Sequence, residues 1–291
     1  MTDATSHDPR QALLPTALTA AREAAARVME IYGQDFDVEY KDDRSPLTEA
    51  DRDAHAIITR HLAATGLPVL SEESREIPHA ERAPWTRFWL VDPVDGTKEF
   101  VNRTGEFTVN IALVDGSRPV LGVVLAPVPR TVYWGVVGDG DHDGAFMADD
   151  DGSAALDELR AAARPVRARR EVGADEPLRV VASRSHLNEE TSRFIDQLAD
   201  VHPDIARVSR GSSLKLCMIA SGEARIYPRV APTMEWDTGA AQAIVEAAGA
   251  GVYEFEPDTP AVAYLDPAAR ASLKPLRYNK SSLRNPYFVA C

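Results

Sequence analysis

The chain has 291 residues, 44% apolar and 26% charged, the balance of a soluble globular protein. A formal charge of −13 speaks against a general nucleic-acid binder, which needs a basic face to displace counterions. No apolar run reaches the ~20 residues of a membrane span, the N-terminus lacks a basic-then-apolar leader, and only Cys217 and Cys291 are present. A disulfide framework or a zinc site is therefore not expected, and a reducing cytoplasm is the expected compartment.

Residues 11–32 are Ala-rich, with Leu14, Leu18, Val28 and Ile31 at helical spacing, which predicts a first helix. "SPLTEADRDAHAIITRHLAATG" predicts a second, with Thr48 as N-cap and Gly66 closing it. "PVLSEES" is a short apolar run that breaks into acids, and "RFWLVDP" reads as a strand. "GEFTVNIALVDGSRPVLGVVLAPVPRTVYWGVVGDG" alternates apolar and polar residues with turn punctuation, the pattern of antiparallel strands. Residues 149–177 are charged and Ala-rich without a strand signal, and divide the chain into halves 1–150 and 151–291 of one integrated catalytic domain. "LRVVAS" opens the second half as a strand. Helices are expected at about 187–199, 213–221 and 236–249, a surface loop over 254–275, and a last strand at "NPYFVA". There is no internal repeat. The fold class is α+β, a layered sandwich and not a regular βαβ repeat.

The acids are the chemical signal. In "WLVDPVDGTKEF" an apolar strand ends at Asp92, and Asp95 follows after Pro93 and Val94. Asp-Pro and Asp-Gly are also ordinary turn dipeptides. But Glu72 and Glu73 end the preceding apolar run, and two neighbouring strands ending in acids aim several carboxylates at one spot. Gly96 lets the backbone come close to a ligand, and Thr97 opens a segment whose free N–H groups can cradle a phosphate. Asp237, in "EWDTGAAQAIVEAAG", starts an Ala-rich helix, where an acid also complements the helix dipole. Carboxylates with a backbone carbonyl suit Mg²⁺, whereas zinc would call for His or Cys. Without cations the cluster would push its own pKa values up. Two or three Mg²⁺ ions would relieve that, draw in a phosphate ester despite the acidic chain, and suit in-line phosphoryl displacement.

In order and spacing, "SEES", "DPVDGT" and "WDTGA" resemble the signatures of the inositol monophosphatase superfamily of Mg²⁺-dependent, lithium-sensitive phosphatases, over roughly residues 10–290. Within it the chain is most similar to the bacterial 3′(2′),5′-bisphosphate nucleotidases. The carrying stretches are "DGTKEFVNRTGEFTVNIALV", "SRSH" at 183–186, "GSSLKLC" at 211–217 and "YPRVAPTMEWDT" at 227–238. Lys98-Glu99-Phe100 stands where an inositol monophosphatase more often has an aromatic-rich "GTTNF"-like run. The resemblance implies an αβαβα sandwich, with a metal-binding first half and a second half that supplies Asp237 and substrate specificity. It implies hydrolysis of 3′-phosphoadenosine 5′-phosphate (PAP) to AMP and phosphate, with the sulfated analogue PAPS as a second candidate substrate and sulfur assimilation as the setting.

Carried over residue by residue, the resemblance gives the first metal Glu72, Asp92 and the Val94 carbonyl. The second takes Asp92, Asp95 and Asp237, and a looser third leans on Glu72 and water. Asp51 of "TEAD" would pair with Thr97 to orient or deprotonate the attacking water, and the Gly96 and Thr97 N–H groups would hold the scissile phosphate. Substrate contacts would also come from Glu72, Val94, Asp95, Asp237, Ser185, His186, Gly211, Ser212 and Lys215. Glu73 would act one layer out, His55 and His61 would be structural or exposed, and Trp236 would pack in the core. Gly239 stands where the family usually has Ala, at some cost in helix stability and away from any ligand. Two alternatives stay beside this reading: a broader inositol or sugar phosphatase, and a metal-binding regulatory protein that has lost activity. The expected partner is a small nucleotide bisphosphate, with no nucleic acid and no stable membrane insertion. The chain would be a monomer or homodimer in the cytoplasm, with a peripheral place at the inner membrane left open.

Overall fold

The Ala-rich opening forms α1 (Pro9–Tyr32). A short hairpin of β1 (Val38–Tyr40) and β2 (Pro46–Thr48) leads into α2 (Glu49–Ala63), capped at Thr48 as the sequence predicts. The computed structural model describes residues 9–40, 46–138, 140, 143–173, 176–182 and 188–291. After α2 come β3 (Val69–Ser71), α3 (His79–Arg82), β4 (Arg87–Asp95), α4 (Thr97–Val101), β5 (Thr108–Asp115), β6 (Arg118–Ala126), β7 (Thr131–Val136) and β8 (Gly144–Asp149). Next are α5 (Leu156–Ala162), β9 (Arg164–Val166), β10 (Leu178–Val181), α6 (Glu189–Ala199), β11 (Ile205–Val208), α7 (Leu214–Ala220), β12 (Tyr227–Arg229) and α8 (Glu235–Ala247). The chain closes with β13 (Val252–Glu254), a 3₁₀ turn at Ala261–Tyr264, α9 (Pro267–Arg270) and β14 (Phe288–Ala290).

Strands β3 to β9 form a seven-stranded sheet in chain order, parallel between β3 and β4 and antiparallel elsewhere. Both faces are covered, which is why β4 reads as a continuous apolar run. Phe88 and Leu90 join the core built with α7 and α8, whereas Trp89 and Val91 join the core built with α1 and α2. On the far side of α8 lies a smaller sheet in which β14 is central, between β12 and β13, and a bridge from Val180 to Ile226 connects it to the parallel pair β10–β11. Phe288 and Ala290 face the α7–α8 core, and Val289 faces a third core with Phe194 of α6. The layers run helix, sheet, helix, sheet, helix: the α+β sandwich expected.

A row of small residues sets the seat of α8. Leu90, Ala112, Gly122, Gly135 and Ala145 are successive cross-strand neighbours from β4 to β8. A Cβ on Gly122 would lie 2.0 Å from the Ala240 carbonyl oxygen, and one on Gly135 would lie 2.8 Å from Ile244 Cα. The helix backbone therefore lies directly on the sheet. Gly239 belongs to this seat: a Cβ there would be 2.8 Å from Leu90 Cδ2, the end of a side chain that would have to shift.

Two expectations need correcting. Residues 149–177, read as lacking a strand, contain α5 and also β9, which adds an edge to the large sheet. Its three residues, one a proline, are too short for a periodic signal. The 254–275 segment, read as a surface loop, contains the 3₁₀ turn and α9 and buries Ala261 and Tyr264 completely. Tyr264 packs against Phe194 with ring centroids 5.8 Å apart. A single helical turn between prolines has no periodicity to read, so only the tertiary contact reveals it.

Candidate active site

A strand alternates its faces with period two, so residues three apart point oppositely. Asp92 and Asp95 escape this rule because β4 bulges between them. Asp92 pairs with Asn110 and Asp95 with Thr108, which leaves Pro93 and Val94 opposite Val109 alone. The extra residue returns Asp95 to the face of Asp92. A proline inside a buried strand is tolerated at such a bulge because its missing N–H breaks no ladder bond there. Leu90 lies on the α8 face, so by the same alternation Asp92 does too.

Helix α8 brings the third acid. Asp237 is its third residue, and Asp237 Oδ2 accepts the Met234 N–H at 2.9 Å. Asp92, Asp95 and Asp237 each offer a carboxylate oxygen, and the three atoms lie within 4.8 Å of one another. Glu72 stands outside this triad but beside it. It follows β3, which runs parallel to β4, and its N–H donates to the Val91 carbonyl at 3.1 Å. Asp92 is only 1% exposed. Burial first, and then the charges of Glu72, Asp95, Asp237 and Asp51, push its carboxyl well above the usual range. Burial and then Asp95 raise Asp237 to about 8. An all-oxygen donor set of mutually repelling carboxylates fits a hard divalent cation, which removes that repulsion.

Asp51 arrives from the other helical layer. It is the third residue of α2, and its Oδ2 accepts the Thr48 N–H at 2.7 Å and the Thr48 hydroxyl at 2.6 Å. Thr97 Oγ1, at the start of α4, lies 3.3 Å from Asp51 Oδ1 and 3.2 Å from the Val94 carbonyl. Its single proton can go to either. Gly96 precedes it at φ 92°, and a Cβ there would meet the Glu106 carbonyl at 3.3 Å, so the turn demands glycine.

A cavity of about 680 Å³ opens beside the acids. Asp95, Gly96 and Asp237 line one part of it, and Arg210, Lys215 and Arg229 supply positive charge to its wall. Gly211 and Ser212 also line it. Gly211 has no room for a side chain, since a Cβ would come within 2.5 Å of the Glu106 carbonyl oxygen. Lys215 Nζ reaches the Ser212 carbonyl at 3.4 Å, and burial lowers its pKa against the pull of Asp95.

Residues 10–283 match the model of the inositol monophosphatase family. The chain belongs to this family. It is 41% identical to the 3′(2′),5′-bisphosphate nucleotidase CysQ of Shigella flexneri over 262 residues, 87% of this chain and 96% of that protein. The crystal structure of CysQ from Bacteroides thetaiotaomicron matches with a TM-score of 0.78 at 40% identity, over 96% of this chain and 97% of that one. An inositol monophosphatase from Zymomonas mobilis shares the fold, with a TM-score of 0.67 at 20% identity, over 98% of this chain and 94% of its own.

In this member of the inositol monophosphatase family, the residues singled out in the sequence fall into three groups. Asp92, Asp95 and Asp237 meet, with Glu72 beside them, and Thr97 reaches both Asp51 and the Val94 carbonyl. Gly96, Gly211, Ser212 and Lys215 line the cavity. Ser185 and His186 lie outside the described residues. The hydroxyl of Ser212 does not simply face the cavity: it bonds to Asp95 and lies 2.6 Å from the Thr108 hydroxyl. His55 bonds to Ser71 Oγ at 2.9 Å and His61 to Glu23 at 2.8 Å, in keeping with structural roles. Trp236 packs against the α7–α8 core.

Sequence reading missed Arg229, Arg210, Ser213 and Asn110. Arg229 stands inside the quoted "YPRVAPTMEWDT", but nothing local says that the end of β12 opens onto the acids. Pro93 within an apolar strand was a readable sign of the bulge. Among the described residues, no helix is long and apolar enough to cross a membrane.

Proposed function

We propose that this chain is a Mg²⁺-dependent 3′(2′),5′-bisphosphate nucleotidase that hydrolyses the 3′-phosphate of PAP to AMP and phosphate. The observation that carries the reading is one cavity lined both by Asp95 and Asp237 of the acid cluster and by the cations Arg210, Lys215 and Arg229. A substrate with two separate phosphates needs two anion-handling regions, one over metal and one over cationic side chains. Inositol 1-phosphate, with a single phosphate, needs only the first. The names of the CysQ relatives support the same substrate.

Glu72, Asp92 and the Val94 carbonyl would hold one ion, Asp92, Asp95 and Asp237 a second, with Glu72 and water leaning on a third. Bound Mg²⁺ supplies charge neutralisation, a more acidic water and stabilisation of the leaving oxygen. The chain's own residues do the rest. Thr97, with its proton on Asp51, can accept a proton from the attacking water and pass its own to Asp51. The water oxygen then forms the new P–O bond as the bond to the 3′ oxygen breaks, and that oxygen leaves as the 3′-hydroxyl of AMP with a proton from a solvent water. Gly96 and Thr97 N–H groups would hold the phosphate, and Ser185 and His186 belong to the same proposal as phosphate donors of the substrate. Cytoplasmic residence is part of it as well.

Phosphate release on PAP, inositol 1-phosphate and fructose 1,6-bisphosphate tests the reading. PAP should be preferred by at least about 100-fold in kcat/KM, close to 3 kcal/mol of discrimination, and EDTA should abolish all release. Arg229→Ala and Lys215→Ala should raise KM for PAP while leaving inositol 1-phosphate turnover unchanged. Equal losses on both substrates would reduce the protein to a broad phosphomonoesterase.

A further inference from the structure

The triad would be of little use if its carboxylates could rotate, and Asp95 is held by a buried polar relay outside the acids themselves. Its donors among the described residues converge on one oxygen. Oδ2 accepts the Ser213 N–H at 2.7 Å, the Ser213 hydroxyl at 2.9 Å, the Asn110 amide at 3.4 Å and the Ser212 hydroxyl. Behind them the relay closes on itself. Asn110 Nδ2 donates to Ser213 Oγ at 2.8 Å, and Thr108 Oγ1 donates to Asn110 Oδ1 at 3.0 Å. Thr108, Asn110 and Ser213 are all buried. Ser212 occupies the left-handed region at φ 54°, a cost that a non-glycine residue accepts where its side chain is needed.

We propose that Ser213 and Asn110 are positioning residues for metal binding. They hold Oδ2 of Asp95 and so fix the plane of its carboxylate beside Asp92 and Asp237. The Ser213 hydroxyl also lies 2.8 Å from the Asp237 backbone carbonyl. Its one proton goes to Asp95 Oδ2 or to that carbonyl, while the Ser213 N–H stays on Asp95 in either case, so Ser213 stands between the turn before α7 and the first turn of α8. Asn110 takes part because of the β4 bulge: it is the cross-strand partner of Asp92, yet its amide reaches Asp95 and Ser213. Partners of this kind orient a metal ligand and are worth about 10–100-fold in metal affinity. The inference rests on the metal-site reading given above.

The test titrates Mn²⁺ into metal-stripped protein and follows free Mn²⁺ by electron paramagnetic resonance, so it does not depend on turnover. Ser213→Ala and Asn110→Ala should each weaken Mn²⁺ binding about 10-fold or more. The double variant should be weakened by far less than the product of the two, because both act through one carboxylate. Ser213→Thr, which keeps the hydroxyl, should bind within about 3-fold of wild type and guards against a Ser213→Ala chain that merely fails to fold. At saturating metal, kcat should fall in Ser213→Ala while KM for PAP stays within about 2-fold. Wild-type Mn²⁺ affinity in folded Ser213→Ala, or equal losses in Ser213→Ala and Ser213→Thr, would overturn the assignment. Failure of the wild-type chain to bind Mn²⁺ would instead remove the metal site itself, and the positioning role with it.

Discussion

At the scale of single residues, Asp51 and Asp237 do two jobs with one side chain. Each is the third residue of its helix and accepts the backbone N–H of the residue three positions earlier, just before the helix. That bond fixes one oxygen and leaves the carboxyl held at the site by the helix that carries it. For Asp237 the sequence offers both a helix acid and a site acid, and the geometry lets one carboxyl take the first role while standing beside Asp92 and Asp95. Asp95 is held differently, by side chains of β5 and of the turn before α7. Its replacement tests the cluster. In Asp95→Asn the amide oxygen would be claimed by the donors from Ser212, Ser213 and Asn110, leaving in place of the second oxygen an NH₂ that cannot ligate a cation. Activity should fall by more than the about 100-fold upper end expected for losing an outer partner. Metal-free stability should hold or rise, because a charge that repels Asp92 and Asp237 is gone. Full activity in this variant, measured beside a urea midpoint in EDTA, would rule Asp95 out as a ligand.

At the scale of elements, the geometry depends on how α8 lies across the sheet. The small-residue row from Ala112 through Gly122 and Gly135 lets the helix backbone touch the strands, which fixes where Asp237 arrives over the β4 bulge. Gly122→Ala should be among the most damaging small changes in the chain, since the new Cβ would lie on a backbone oxygen that cannot rotate away. Overpacking of a tight core costs about 1–3 kcal/mol and occasionally more, and a backbone clash belongs at the upper end. A urea midpoint unchanged in Gly122→Ala would contradict this account of the helix seat. The elements themselves were largely readable. α1 and α2 follow from helical spacing and a capping threonine, and β4 from its apolar run. Among the exceptions, β9 and the turn at Ala261–Tyr264 are single short pieces held by contacts far away in sequence.

At the scale of the whole molecule, the acids make the metal-free fold sensitive to pH in a definite direction. Asp92 and Asp237 are raised, Asp237 to about 8. From the ordinary aspartate value of about 4 up to those raised values, the folded chain holds protons that the unfolded chain has released. Stability in EDTA should therefore fall as pH rises through about 8, as far as these two groups are concerned. Addition of Mg²⁺ should raise the unfolding midpoint more at about pH 8.5 than at about pH 6, since cations and protons relieve the same repulsion. A metal-free midpoint that climbs from about pH 6 to about pH 8.5 would contradict the repulsive cluster. The net charge of −13 makes the same point globally: in the proposed reaction an anionic substrate would be received by the cavity's cations and bound metal, not by the protein surface at large.

By itself the sequence determined which residues are acids at strand and helix ends, where the long helices and strands run, and which family they resemble. These are local properties, carried by spacing, capping and turn chemistry over a few residues. Only the tertiary structure decided that Asp92 and Asp95 share a face, because that depends on a bulge counted against β5. It also decided that Arg229 shares a cavity with the acids, and that Asn110 and Ser213 meet on one oxygen of Asp95. The residues that meet at Asp95 are more than a hundred positions apart in the chain, and no local pattern encodes a contact that packing alone creates.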